Sequence, residues 1–267
     1  MRIKIYQVDA FTNQLFGGNP AAVCPLENWL EDKLMQNIAA ENNLAETAFF
    51  IKKGNGFHIR WFTPKAEVDL CGHATLAAAW ILFNKLNFTG KTISFDSRSG
   101  ILTVEKNNDW LTLNFPLDKI KPVPLTSELN SCFSGKATES FLGQADYLLV
   151  FSSQKEIENA IPNLTRIATF KSRGIIITAK GDKEDFVSRY FAPSFGIDED
   201  PVTGSAHTTL VAYWSEKLNK NEFTAKQISE RGGFLKLKRL NDRVEISGQA
   251  VSYLEGEIEV PVFPFVP

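Results

Sequence analysis

The chain has 267 residues, 43% of them hydrophobic, and a formal net charge of -2 with no long basic or acidic block. That length suits one large domain or two small ones with real cores. The sequence lacks the basic face or motif of a nucleic-acid binder and any apolar run near the ~20 residues of a membrane span, so neither partner is expected.

The N-terminal stretch MRIKIYQVDAF alternates polar and apolar residues and predicts a first strand rather than a signal peptide. Gly18, Asn19 and Pro20 form a turn sequence. A helix is expected over 28–41, with Leu30, Leu34, Ile38 and Ala39 on one face. AETAFFIKKGNGFHIRWF reads as strand, turn, strand, and Gly54-Asn55-Gly56 supplies the positive φ of a tight hairpin. No helix follows those glycines, so they are a turn and not a phosphate loop. A second helix starts after Gly72, followed by strands in ISFDSRSGILTVEKNNDWLTLNF with a turn at Asn107-Asn108-Asp109. The proline-rich segment 116–128 reads as a crossing between lobes. Beyond it come strands around 173–193, a helix after Ser205 and strands around 234–260.

The chain also repeats itself. RWFTP (60–64) returns as RYFAP (189–193), and TLAAAW (75–80) as TLVAYW (209–214). Arg98-Ser99-Gly100-Ile101-Leu102 returns as Arg231-Gly232-Gly233-Phe234-Leu235, and Asn108-Asp109 as Asn241-Asp242. Four matches in one order, at offsets of 129, 134, 133 and 133 residues, indicate a duplication. Two copies at this spacing mean two similar lobes rather than a solenoid. The expected fold class is therefore α+β: two pseudo-twofold-related lobes, each a mostly antiparallel, barrel-like sheet around a central small-residue helix. The expected division is 1–117 and 118–267, with the last strand near 256–267 a candidate to rejoin the first lobe. The active-site cleft is expected between the lobes.

The two helix starts, DLCGHAT and DEDPVTGSAHTT, both place glycine and small polar residues where N–H groups are unpaired and the helix dipole is positive. Such ends hold carboxylates. Three cysteines, Cys24, Cys71 and Cys132, are odd in number and far apart, which points to free thiols in a reducing cytoplasm. His58, His73 and His207 are too scattered for metal-ligand spacing, and no dinucleotide or phosphate fingerprint occurs. His58 reads as a strand residue and His207 as lying one turn inside the second-lobe helix.

QVDAFTNQLFGGNPAAV, NLAETAFF, FTPKAEVDLCGHAT and DPVTGSA together resemble the PhzF-type phenazine-biosynthesis family, from near residue 7 to about 256. That family shares the fold of diaminopimelate epimerase and proline racemase. ISERGGFLKLKRL is a looser match, since a glutamine-glycine pair is common there. The resemblance implies a cofactor-independent isomerase that shifts a proton on carbon, with no metal, acting on a small anionic metabolite. It also implies a homodimer. By motif, Glu46 is the general base and acid. His73, Asp200 and Ser205 assist, and Asn19, Gly72 and Gly204 line the substrate. Proton transfer at carbon needs a carboxylate whose pKa rises toward neutrality, and the apolar neighbours Leu44, Ala45, Ala48 and Phe49 could desolvate Glu46.

The related epimerases use two cysteines. Cys71 occupies the first position, while the second-lobe loop has no cysteine, with Pro201 nearest. An amino-acid racemase using Glu46 with Cys71 is the alternative within the enzyme class. A non-catalytic relative that binds a metabolite or a protein is the alternative outside it.

Overall fold

A computed structural model describes residues 1–260. The first stretch of chain forms β1 (Arg2–Ala10), β2 (Asn19–Leu26), α1 (Asp32–Asn42), β3 (Glu46–Lys53), β4 (Gly56–Phe62), β5 (Glu67–Val68), α2 (Gly72–Asn84), β6 (Thr92–Ser97), β7 (Gly100–Asn107) and β8 (Trp110–Pro116). There follow β9 (Lys121–Pro122), α3 (Ser127–Asn130), β10 (Glu139–Leu142), β11 (Asp146–Val150), α4 (Gln154–Glu158), α5 (Leu164–Ile167), β12 (Gly174–Lys180) and β13 (Phe186–Phe191). The chain then forms α6 (Ala206–Leu218), β14 (Glu222–Gln227), β15 (Gly233–Leu240), β16 (Arg243–Gly248) and β17 (Ala250–Glu259).

The chain divides into two compact units. One is Met1–Asn114 with the described residues from Ser247 on; the other is Phe115–Ile246. The boundaries fall inside β8 and β16. The chain returns to the first unit at Ser247, ahead of the 256–267 expected from sequence, because β17 pairs with β1 along its length, from Ala10↔Ala250 to Arg2↔Glu259. Of that expected segment, 261–267 lies outside the described residues.

In the first unit β1–β2 is antiparallel, β2–β3 parallel, β3–β4 antiparallel, β4–β6 parallel and β6–β7 antiparallel. The second unit runs through the same sequence of hands: β10–β11 antiparallel, β11–β12 parallel, β12–β13 antiparallel, β13–β14 parallel and β14–β15 antiparallel. The pairing pattern is thus duplicated along with the motifs. Matching turns carry matching torsions: Asn108 and Asn241 both lie at positive φ, 53° and 51°. Asparagine tolerates that left-handed conformation better than most residues.

Alternation along the strands sorts each sheet into two faces. In the first unit Ala22, Cys24, Phe49 and Phe62 pack on one face against Met35, Ile38 and Ala39 of α1. Helix α1 starts at Asp32 rather than 28. Leu30 and Leu34 still pack against that cluster, and Asn43 ends the helix at φ 49° with its N–H on the Ala39 carbonyl. Residues of the opposite parity (Ala21, Val23, Ala48, Trp61) face α2, which packs on β1, β2, β3 and β17. Ala74, Ala77, Ala78 and Ala79 are all buried, so small side chains let strands approach nearly the whole circumference of α2.

In the second unit β12 is buried on both faces. Ile175 and Ile177 join the cluster under α3, α4 and α5, while Thr178 accepts a 3.0 Å hydrogen bond from the Trp214 indole of α6. Between β11 and β12 the short helices α4 and α5 carry their own caps: Ser153 accepts from the Glu156 N–H and Asn163 from the Arg166 N–H.

Candidate active site

Glu46 is the first residue of β3. It pairs in parallel with β2, with Ala21 its register partner, and the antiparallel pairing of β3 with β4 begins one residue later at Thr47↔Phe62. Its parity points it to the α2 face. His73, the second residue of α2, arrives from above, and its Nε2 lies 3.1 Å from Glu46 Oε2. Both side chains are largely buried, yet neither of these atoms completes an aligned hydrogen bond with a described residue. Apo acid–base pairs are often misaligned in this way and tighten on a ligand. Of the four neighbours expected to desolvate Glu46, Phe49 and Leu44 pack in the cluster on the α1 face. The close groups are His73 and Cys71 instead.

Cys71 Sγ lies 3.5 Å from the other ring nitrogen, His73 Nδ1. Cys71 precedes α2 with extended backbone torsions, and its carbonyl takes the Thr75 N–H and, at 2.6 Å, the Thr75 hydroxyl. Burial, reinforced by the Glu46 charge, pushes the Cys71 thiol up to about 11 against the opposing pull of His73. Burial also disfavours charge on His73. The Cys71 sulfur and the Glu46 carboxylate outweigh it and hold its pKa well above 6.5.

Glu46, Cys71 and His73 bring three potential ligand atoms within 4.8 Å of one another. One imidazole thus contacts the sulfur through Nδ1 and the carboxylate through Nε2.

Asn19 opens β2, fully buried and two residues before Ala21, hence on the face that Glu46 shares. Gly72 is the first residue of α2. Trp61 lies on the same sheet face, opposite Ala48. Its buried indole N–H has no partner among the described residues. Sequence reading missed it, although the RWF/RYF repeat marks its position.

Asp200, Gly204 and Ser205 belong to the second unit. Asp200 is buried, and its Oδ2 accepts the Thr203 hydroxyl at 2.5 Å. Gly204 and Ser205 lead into α6; their carbonyls accept the N–H groups of His207 and Thr208. His207 is the second residue of α6, not one turn inside it, and so occupies the place that His73 holds in α2. The TLAAAW/TLVAYW match predicts this correspondence. The two settings differ in chemistry. His207 Nδ1–H donates to the Thr203 carbonyl at 2.8 Å, and Nε2 is buried with no partner among the described residues. Burial lowers its pKa to about 4.

His207 makes stability pH-dependent. Its folded pKa is depressed below 6.5, so the unfolded chain binds the extra proton first as pH falls. The contribution is present above about pH 6.5 and is lost progressively toward and below pH 4, on the order of 3 kcal/mol in all. Urea unfolding at pH 7 and pH 4 should show this loss, and His207→Asn should flatten it.

The other thiols offer no second base. Cys24 lies in the α1-side cluster and Cys132 in the cluster under α3, α4 and α5. Burial raises both, to about 12 and about 11. No helix among the described residues is long and apolar enough to cross a membrane.

Comparison with known proteins places the chain in a family. Residues 8–256 match the family model described as phenazine biosynthesis-like protein. An uncharacterized isomerase of Pseudomonas aeruginosa is 44% identical over 260 residues, covering 97% of this chain and all of that protein. A crystal structure of a phenazine biosynthesis protein of the PhzF family from Enterococcus faecalis is 43% identical. It superposes with a TM-score of 0.95 over 97% of this chain and all of that one. A probable proline racemase from Agrobacterium radiobacter shares the fold at 9% identity, with a TM-score of 0.63 over 99% of this chain and 94% of its own. Motifs, duplicated α+β topology and matches across nearly the whole length agree: the chain belongs to the PhzF-type, phenazine biosynthesis-like family, on the fold shared with proline racemase.

Proposed function

We propose that this PhzF-like isomerase moves a proton between carbon positions of a small carboxylate-bearing metabolite, with Glu46 as general base and then general acid. The observation that carries the reading is the Glu46–His73 contact of 3.1 Å, buried and without an aligned hydrogen bond on either atom. A carboxylate beside a substrate C–H can take the proton, and His73, supplying Nε2–H, can stabilise charge on the substrate or steady the carboxylate. Such chemistry needs no redox cofactor and no metal. Asp200 and Ser205 assist in this reading, and Asn19, Gly72 and Gly204 contact the substrate. These roles rest on the motif match. A homodimer in the cytoplasm completes the proposal; sedimentation at micromolar concentration tests the assembly.

The test is deuterium incorporation. Small carboxylic acids incubated with the protein in heavy water should acquire deuterium at carbon, read by mass spectrometry. A racemase using Glu46 with Cys71 is the second reading, favoured by the 3.5 Å contact of the sulfur with His73. A thiol raised to about 11 is a poor base at neutral pH. Exchange that survives Cys71→Ser supports the carboxylate; exchange lost there supports the thiol. Tight binding of an acid without exchange would leave a binding protein.

A further inference from the structure

The loop that carries Asp200 is gripped by a glutamine 27 residues further along the chain. Gln227 ends β14 and is fully buried. Its Oε1 accepts the Thr203 N–H at 2.9 Å, which fixes the orientation of the amide. Nε2 must then face the loop, and it does so twice: it donates to the Asp200 carbonyl at 2.7 Å and to Thr203 Oγ1 at 3.3 Å. A threonine hydroxyl has one proton. Receiving at Oγ1 from Gln227, Thr203 spends that proton on Asp200 Oδ2, 2.5 Å away. The chain of donation runs one way: Gln227 to Thr203 to Asp200.

Resting on the acid–base reading of the site, we propose that Thr203, oriented by Gln227, is a positioning residue that fixes the Asp200 carboxylate as an acceptor in one rotamer. A purely structural loop clamp would need no such direction. One is present alongside it: the Ser229 hydroxyl donates to the Pro201 carbonyl at 2.7 Å and accepts the Gly232 N–H at 3.1 Å. Replacing Ser229 therefore separates holding the loop from directing Asp200. From β13, Tyr190 sends its hydroxyl to Asp146, and its carbonyl takes the Asp200 N–H at 3.0 Å.

The experiment follows the carboxyl carbon of Asp200 by NMR in full-length protein labelled with carbon-13 aspartate, titrated without substrate. A donor to a carboxylate favours the ionised form. Thr203→Val keeps the shape and removes the donor, so the Asp200 midpoint should rise by about one pH unit, a tenfold change in the proton equilibrium. Thr203→Ser should restore the wild-type midpoint. Gln227→Leu should raise it partly, since the Thr203 proton is no longer directed. Ser229→Ala should lower the denaturation midpoint and leave the Asp200 titration in place. An unchanged Asp200 midpoint in Thr203→Val, or a shift in Ser229→Ala as large as that in Thr203→Val, overturns the proposal. If Thr203→Val does not fold, Gln227→Leu against Ser229→Ala decides on the same criterion. Loss of the isomerase reading would show as absent carbon–deuterium exchange and would leave this titration untouched.

Discussion

Glu46→Gln should abolish carbon-bound deuterium exchange, with a loss of about 10²- to 10⁴-fold, the range that a positioned general base contributes. Glutamine has the shape of glutamate and keeps an oxygen to face His73, but it takes no proton from carbon. Glu46 pairs with Ala21 of β2 and is largely buried beside His73 of α2, and glutamine keeps its shape, so the substitution should leave the fold intact. A companion measurement needs no substrate. The Glu46 charge is one of the two groups that hold the His73 pKa up, so His73 should titrate at lower pH in Glu46→Gln. The His73 shift also carries a stability sign. A raised folded pKa contributes stability below pH 6.5 that is lost as pH rises through the folded value, so Glu46→Gln should narrow that loss. Exchange that persists at wild-type rate in Glu46→Gln while His73 moves as expected would remove Glu46 from the chemistry without disturbing the geometry.

The largest stability effect is expected at Asp146→Ala, in the second unit. Asp146 is 2% exposed, accepts the Tyr190 hydroxyl at 3.0 Å and pairs with the Arg173 guanidinium through both carboxylate oxygens. Its register partner across the parallel β11–β12 ladder is Gly174. A Cβ on Gly174 would come within 2.6 Å of the Tyr190 hydroxyl oxygen, so glycine leaves the space through which the tyrosine reaches the carboxylate. Removing the carboxylate leaves a buried phenol without an acceptor and a half-exposed arginine without its counterion. The cost is on the order of 3 kcal/mol, read as a lower denaturant midpoint at unchanged slope. Asp146→Asn keeps an acceptor for Tyr190 and should cost about half as much. A loss in Asp146→Ala below about 1 kcal/mol would show that the network is relaxed by water.

The interiors of the elements were legible because their signals are local. The Gly54 turn, the paired asparagine turns at 108 and 241, and the run of alanines in α2 each depend on the torsions or periodicity of a few consecutive residues. The duplication was legible for the same reason, since equivalent local patterns recur at one spacing. Even so, the TLAAAW/TLVAYW match already set His207 in the place of His73, and only the structure showed their opposite surroundings. The stretch from α3 through α5 escaped the reading. Its helices span four or five residues, too short for a period to declare itself, although Thr126, Ser153 and Asn163 were correct caps.

What the amino-acid order determined alone was the kind of elements, their turns, the twofold repetition and the motifs that assign the family. Tertiary structure decided which side chains meet. Glu46 faces His73 because β3 is sandwiched in a register that turns even-numbered residues toward α2. Gln227 reaches Thr203 because β14 lies beside β13, and the chain re-enters its first unit at Ser247 because β17 finds β1. Those partners lie tens to hundreds of residues apart. Their choice is set by which faces can be buried together, a condition that no short window of sequence contains.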